Sequence, residues 1–391
     1  MQRQRSISTP KLITVVLALC AAMVLAGCGS SDSSSNTGGK SAFFVDGKAF
    51  AVVDSNDNLT PIPGAPTLKV MTHDSFAVSQ GVLDEFTAQT GVKVELIPSG
   101  DAVAMTNAAI LTAGNPVADV LFGIDENLLA AAFDADLFVN YVPTRIGTVD
   151  QAFVLDDMSR VTPIDHGDVC VNFDREALNA SGTTLPTSFA DLAEPALNES
   201  LVVEDPSAST PGLAFMLATI ASFGGGDDAS SNAAWLQYWK SLKDNGVQVV
   251  DSWETAYYGA FSGGSGEGTR PLVVSYASSP PAEVTDTTIA VDATPTGVIG
   301  ATCYRQTEFA GILSGSTQQL AAASFIEFML GKSFQEDVPG QMYVYPVRSD
   351  ATLPEAFVKY TTPVDKPLSL SYDEVGANRD RWIKQWSSLF R

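Results

Sequence analysis

Histidine is almost absent from this chain: His73 and His166 are the only two in 391 residues. Cysteine is nearly as scarce, four in all, and no two stand at a C-x-x-C spacing. Without a His/Cys cluster, a zinc site of the usual ligand spacing is excluded. The sequence also has no H-E-x-x-H, no G-x-x-x-x-G-K-[ST], no G-x-G-x-x-G and no G-x-S-x-G elbow. Hydrolase and nucleotide-dependent chemistry therefore find no motif, and no cofactor is implied. Positive charge is thin as well, with 22 Lys and Arg against 45 Asp and Glu and a net charge of −23. Such a surface repels nucleic acid and anionic headgroups, and it favours solubility and the approach of cations.

What is present begins at the N-terminus. Arg3, Arg5 and Lys11 precede an apolar run from Leu12 to Leu25, a signal-peptide length that is short for a spanning helix. The run ends in Leu25-Ala26-Gly27-Cys28, small residues before a Cys, as a lipoprotein signal peptidase requires. The expectation is a signal peptide over 1–27, a lipid anchor on Cys28 and attachment to the extracytoplasmic face of the cell membrane. The Ser/Gly/Asn stretch that follows has nothing to bury, so 28–66 is read as a tether, with a short hairpin possible at Phe43–Phe50. Cys20 leaves with the leader. Cys170 and Cys303 remain, either as one disulfide or as two buried thiols, and an oxidising compartment favours the bridge.

From Thr67 onward, strands alternate with helices. Leu68–Met71, Val92–Ile97 and Ala118–Phe122 read as strands, separated by helices over 76–89 and 101–113, with a further helix over 126–135. Gly91 and Gly114 are the expected helix stops, and Asp101 the expected N-cap. The same grammar returns with strands at Leu201–Val203, Gln248–Val250 and Pro271–Tyr276, and helices over 213–223, 235–244, 321–330 and 374–389. This order predicts an α/β fold of two lobes, each a mainly parallel sheet flanked by helices, with a ligand in the crevice at the strand ends.

Several segments in order resemble one family, the bacterial extracytoplasmic thiamine-binding proteins, which have the type II periplasmic binding fold. They are Thr72-His73-Asp74-Ser75-Phe76, the run from Ala118 to Leu129, the run from Glu204 to Leu213, Trp253-Glu254-Thr255-Ala256-Tyr257, Val274 to Pro280, and Tyr345-Pro346-Val347 before the Trp-containing last helix. The resemblance covers most of the chain from Leu68 to Arg391. It implies an importer component, a monomer that is not an enzyme, which passes thiamine or a close analogue to an ABC permease. It also implies lobes of 67–164 with 308–391, and of 165–307, which the chain exchanges near Asp165-His166-Gly167 and Thr307-Glu308.

By the same resemblance, Asp101 and Ala102 fall where an Asp-Gly pair contacts ligand, Ser209 and Thr210 where a Ser-Thr pair does, and Trp253 on an aromatic contact. Tyr276, Ala277, Ser278 and Ser279 fall on a Tyr-Thr-Thr-Ser segment. His73 and His166 stand where better-known members have Tyr, Ala282 replaces an aromatic, and Tyr343 stands near a family Trp. Tyr257 joins the candidate set.

The chemistry is consistent with thiamine's cationic thiazolium, flat aminopyrimidine and hydroxyethyl tail. Trp253 and Tyr276 offer stacking and cation–π contact, worth ~0.5–2 kcal/mol each. Core packing is the plainer role for both. Asp101 can accept from the amine or merely cap its helix. Ser209-Thr210-Pro211-Gly212 opens a helix whose N–H groups suit a hydroxyl or a phosphate tail, and it is equally an ordinary cap with an early Pro. A neutral His73 can stack, and once protonated it would repel a cation. The rival readings are a same-fold carrier of ferric iron, through Tyr257 and Tyr258, or of a polyamine, and more remotely a secreted enzyme.

Overall fold

The computed structural model describes residues 43–45 and 48–390. The leader, Cys28 and the tether as far as residue 42 lie outside them. The expected hairpin is present: β1 (Phe43–Val45) pairs antiparallel with β2 (Lys48–Phe50), and the Phe43 ring stands 5.8 Å from Tyr141. Val52, Val53, Leu59 and Ile62 are buried in the body's core. Their apolar side chains remove this stretch from the expected tether.

The first three parallel strands are β3 (Thr67–Thr72), β4 (Lys93–Pro98) and β5 (Val120–Asp125), joined through the helices α1 (Gln80–Thr90) and α2 (Ala102–Leu111). α1 ends at Gly91, in the left-handed region at φ 79°. It begins four residues later than its apolar spacing predicts, because Phe76 leaves the helix to pack on Phe122, 4.7 Å between centroids. α2 begins after Asp101 and stops at Thr112, whose hydroxyl donates back to the Ala109 carbonyl at 3.1 Å, so Gly114 is not the stop. α3 (Leu129–Asp134) follows β5 and is shorter than expected.

Two long strands then form the middle of the molecule, and neither is visible in the alternation of the sequence. They are β6 (Thr162–Asp174) and, much later, β10 (Thr296–Ile312). β6 is buried on both faces except at His166, so it shows no polar–apolar period. Pro163 and Gly167 disguise it further. Between these strands the chain forms α4 (Arg175–Ser181), α5 (Phe189–Leu192), β7 (Leu201–Glu204), α6 (Thr210–Phe223), α7 (Ala234–Asp244), β8 (Gln248–Val250) and β9 (Leu272–Tyr276). α8 (Gln319–Met329), α9 (Lys332–Gln341), β11 (Tyr345–Pro346), α10 (Glu355–Tyr360) and α11 (Tyr372–Phe390) complete it.

The sheet runs β4-β3-β5-β10-β6-β9-β7-β8, with β11 beside β6. Its ends are parallel and its centre antiparallel. The two segments expected to cross between lobes are register partners, Thr307 opposite His166 and Glu308 opposite Asp165. The ladder slips between Ile299 and Tyr304 and again between Glu308 and Phe309, and such bulges bend a strand pair. Next to the first slip, Cys170 and Cys303 are joined by a disulfide across 133 residues of chain. α11 packs on α7, where Trp386 meets Trp239 edge to face at 5.4 Å.

Candidate functional site

A cavity of about 300 Å³ opens at the strand ends, toward the lower end of the roughly 300–1,000 Å³ of small-molecule sites. Its walls come from the loop after β3, the first residues of α2 and α6, a wide π-helical turn at Thr255–Ala260 with Trp253 ahead of it, the end of β9, Glu308 on β10, and the segment after α9.

The candidate residues His73, Asp101, Ala102, Thr210, Trp253, Tyr257, Tyr276, Ser279 and Tyr343 meet around this space. Ser209, Ala277 and Ser278 are buried and do not line it. Ala277 packs instead against the Cys170–Cys303 bridge. His166 is also outside the cavity, stacked on Phe153 at 4.4 Å and on Tyr345 at 5.4 Å. Sequence reasoning did not assign Phe76, Glu254 and Glu308 to the lining, and it named Tyr258 only in the ferric reading. Of these, Glu308 left a signal: a carboxylate directly before the apolar run Phe309-Ala310-Gly311-Ile312-Leu313.

One wall is aromatic. Trp253 and Tyr257 stack at 5.0 Å with 22° between planes, and Tyr258 stands edge-on to both. The two stacked rings are held from behind. The Trp253 indole Nε1 donates to Ser275 Oγ at 3.0 Å, and Ser275 Oγ bonds Ser279 Oγ at 2.9 Å. The Tyr257 hydroxyl donates to Glu283 at 2.8 Å.

A second wall is acidic. Asp101 caps α2 by accepting from its own neighbour Ala102 N at 2.7 Å. The same carboxylate accepts from Thr210 N at 3.3 Å and Trp253 N at 3.2 Å, so it ties the starts of α2 and α6 to the aromatic turn. Ala104 N, donating to Ala208 O at 3.2 Å, adds a backbone tie between the same two regions. Burial raises the Asp101 pKa, against the hydrogen bonds from Trp253 and Ala102 that favour its charge.

His73 Nε2 stands 3.5 Å from Glu308 Oε2. This is an ion-pair distance when the imidazole is protonated, though long for a hydrogen bond. Burial alone would lower the His73 pKa. The Glu308 charge, aided by Asp101 and Asp74, outweighs it, and the value rises. Behind Glu308, burial and then the Glu308 charge hold the Asp165 carboxyl well above its usual range. Burial first, with Glu308 contributing, lifts Asp125 to about 7.

The lining carries four carboxylates, Asp74, Asp101, Glu254 and Glu308, and no Lys or Arg. Two missing side chains make room for its rings. A Cβ on Gly123, at φ +96°, would lie 2.3 Å from His73 Cδ2, and one on Gly167 would lie 2.9 Å from Tyr276 Cδ1. An acidic, aromatic-walled cavity of this size can hold a flat organic cation by stacking and charge.

Comparison with known proteins agrees with this chemistry. Residues 115–369 match the model of the family described as bacterial extracellular solute-binding protein. The thiamine-binding periplasmic protein of Escherichia coli is 31% identical over 83% of this chain and 94% of its own length. That of Brucella suis is 29% identical over 82% of this chain and 91% of its own. A solved periplasmic thiamin binding protein superposes with a TM-score of 0.71 at 28% identity, covering 87% of this chain and 98% of its own. The fold is the type II periplasmic binding fold.

Proposed function

The chain belongs to the bacterial extracellular solute-binding proteins, and from that premise we propose that it is the thiamine-binding component of an ABC importer, with the cavity as its ligand site. The observation that carries this reading is the pairing of the Trp253–Tyr257 stack with a lining that holds four carboxylates and no Lys or Arg. The thiazolium lies against the aromatic wall, where cation–π contact is worth about 0.5–2 kcal/mol per ring. The aminopyrimidine faces His73 and Glu308, and the hydroxyethyl tail points toward Ser279 and the start of α6.

Asp101 serves closure as much as contact. In the division of 67–164 with 308–391 against 165–307, its hydrogen bonds from Thr210 and Trp253 span the two lobes, and the bulged β6–β10 pair is where they hinge. The closed form docks on the permease. Cys28, once lipidated, holds the monomer at the outer face of the membrane, and the protein catalyses nothing. A ferric site through Tyr257 and Tyr258 fits less well, because the Tyr257 hydroxyl already donates to Glu283 and the two rings lie 81° apart.

Titration calorimetry with thiamine tests the proposal. So does tryptophan fluorescence, since Trp235, Trp239, Trp382 and Trp386 are buried and Trp253 alone of the five lines the cavity. Thiamine is expected to quench Trp253 and to leave a Trp253→Phe variant unquenched. No heat and no quenching at millimolar thiamine would rule the ligand out.

A further inference from the structure

Not every charge that acts on the cavity lies on its surface. Glu283 ends the short 3₁₀ turn Pro280–Glu283 that follows β9. It is partly buried behind the aromatic wall, and its neighbour Ala282 lines the chamber in its place. Glu283 Oε1 accepts from the Tyr257 hydroxyl at 2.8 Å and from the Ser265 hydroxyl at 3.2 Å. Among the described residues no Lys or Arg pairs with this carboxylate. Burial first, and the Glu283 charge next, push the Tyr257 phenol above its usual range, so the phenol keeps its proton and stays the donor.

The seat of Glu283 is made by absent side chains. A Cβ on Gly264, at φ +57°, would lie 2.1 Å from Glu283 Cδ. The loop over 262–268 closes under the π-helical turn, where Glu267 N donates to Tyr258 O and Gly268 N to Phe261 O, both at 2.9 Å. A Cβ on Gly266 or Gly268 would come within 2.2 Å of Phe261 O or 1.9 Å of Ala260 O. Glycine thus lets the loop meet the backbone of the turn that carries Tyr257, and the loop brings Ser265 to the same carboxylate. The arrangement holds a negative charge at the outer end of a ring whose face is stacked on Trp253. An aromatic face attracts a cation through its negative quadrupole. A phenol that donates to a carboxylate gains electron density, and the charge itself adds to the field at the face.

We propose that Glu283 is a positioning residue of the cation subsite. Through the Tyr257 hydroxyl it fixes the aromatic wall and makes its face more negative, so that the cavity prefers a cationic ring to a neutral ring of the same shape. This rests on the thiamine reading, in which the thiazolium lies against that wall, and it adds a residue that touches no ligand.

The test is calorimetric titration of the purified chain with thiamine and with its neutral analogue, in which a thiophene replaces the thiazolium. The ratio of the two affinities isolates the preference for charge. Glu283→Gln keeps an oxygen that can accept from Tyr257 and removes the charge. It is expected to lower the ratio about three- to tenfold, almost wholly through weaker thiamine binding. Tyr257→Phe keeps the ring and removes the bond. It should lower the ratio as well, and Glu283→Gln added to it should do little more, since partners in one interaction are not additive. Melting curves check folding, and Tyr257→Phe alone reads the ratio if Glu283→Gln does not fold. Thiamine binding with an unchanged ratio in the folded variants overturns the inference alone. Equal loss of both compounds reduces Glu283 to a support for the ring and overturns its charge role, and additive effects overturn the route through the hydroxyl. Absence of thiamine binding by the unaltered chain overturns the thiamine reading and this inference with it.

Discussion

The two walls of the cavity are built on opposite principles. Every ring of the Trp253–Tyr257 stack that carries a polar atom has it bonded behind the surface, to Ser275 or to Glu283. That wall is finished before a ligand arrives. On the acidic wall, Glu308 faces His73 without a well-made hydrogen bond, and Asp165 is pressed against Glu308. That wall changes charge with its surroundings. A preformed face supplies affinity, while a titrating face supplies responsiveness and discrimination between charge states.

The largest expected effect comes from breaking the finished wall. Trp253→Ala removes a stacking face and orphans the Ser275–Ser279 pair, and calorimetry should show thiamine affinity falling by at least about 30-fold, as for a buried aromatic anchor. Asp101→Ala comes next. It removes an N-cap worth about 1 kcal/mol together with the ties to Thr210 and Trp253. It should lower the denaturation midpoint and weaken binding about tenfold, whereas Asp101→Asn should retain much of the stability. Glu308→Gln should cost less, about three- to tenfold in affinity for the cation, and should bring the His73 pKa down because its main charge partner is gone.

The smallest effect sharpens the contrast most. His73 and His166 are the only histidines, so proton NMR can follow both. His73 should titrate above the ordinary value of 6.5, and His166, depressed by burial first and by the Arg305 charge, only near 3. Thiamine affinity should fall as pH drops through the His73 value, since a protonated imidazole competes with a cation beside Glu308. Asp101 and Asp74 face the same imidazole, and Asp125, lifted to about 7 by burial first, is the register partner of Glu308. The stability contributions have opposite signs. The raised His73 stabilises the fold below pH 6.5 and loses this as pH rises through its folded value. The depressed His166 gives stability that is present above pH 6.5 and lost as pH falls toward 3. Equal titration of the two resonances would erase the distinction between the walls.

The outer parts of the fold were legible because β3, β4, β5, α2 and α7 carry local signals: apolar runs of strand length, caps, and a helical period. The site residues on those elements followed from resemblance, and nothing in their spacing alone would have joined Asp101 to Trp253. β6 and β10 were illegible for a physical reason. Buried on both faces over most of their length, they mix Asp165, Asp168, Asn172, Thr302 and Gln306 with apolar residues, and several of these polar side chains find partners inside the protein. Asn172 donates to the Tyr276 carbonyl, Thr302 accepts from Val171 N, and Gln306 bonds Asp125. A two-residue period has no meaning there, so Glu308 was assigned to a crossing and its place on the cavity went unseen. The 28–66 tether failed similarly, since Val52, Val53, Leu59 and Ile62 are too dispersed to announce a buried segment.

Gly123 turns part of this shape into an inheritance problem. Its position touches no ligand, yet the one hydrogen in place of a methyl is what allows His73 to lie where it does. A lineage that acquired Ala there would push the imidazole forward, shrink the chamber and change which molecules fit, with every contact residue left intact. Diet, for such a carrier, is written partly in the residues behind its contact surface, and a catalogue of contacts alone would overlook the change.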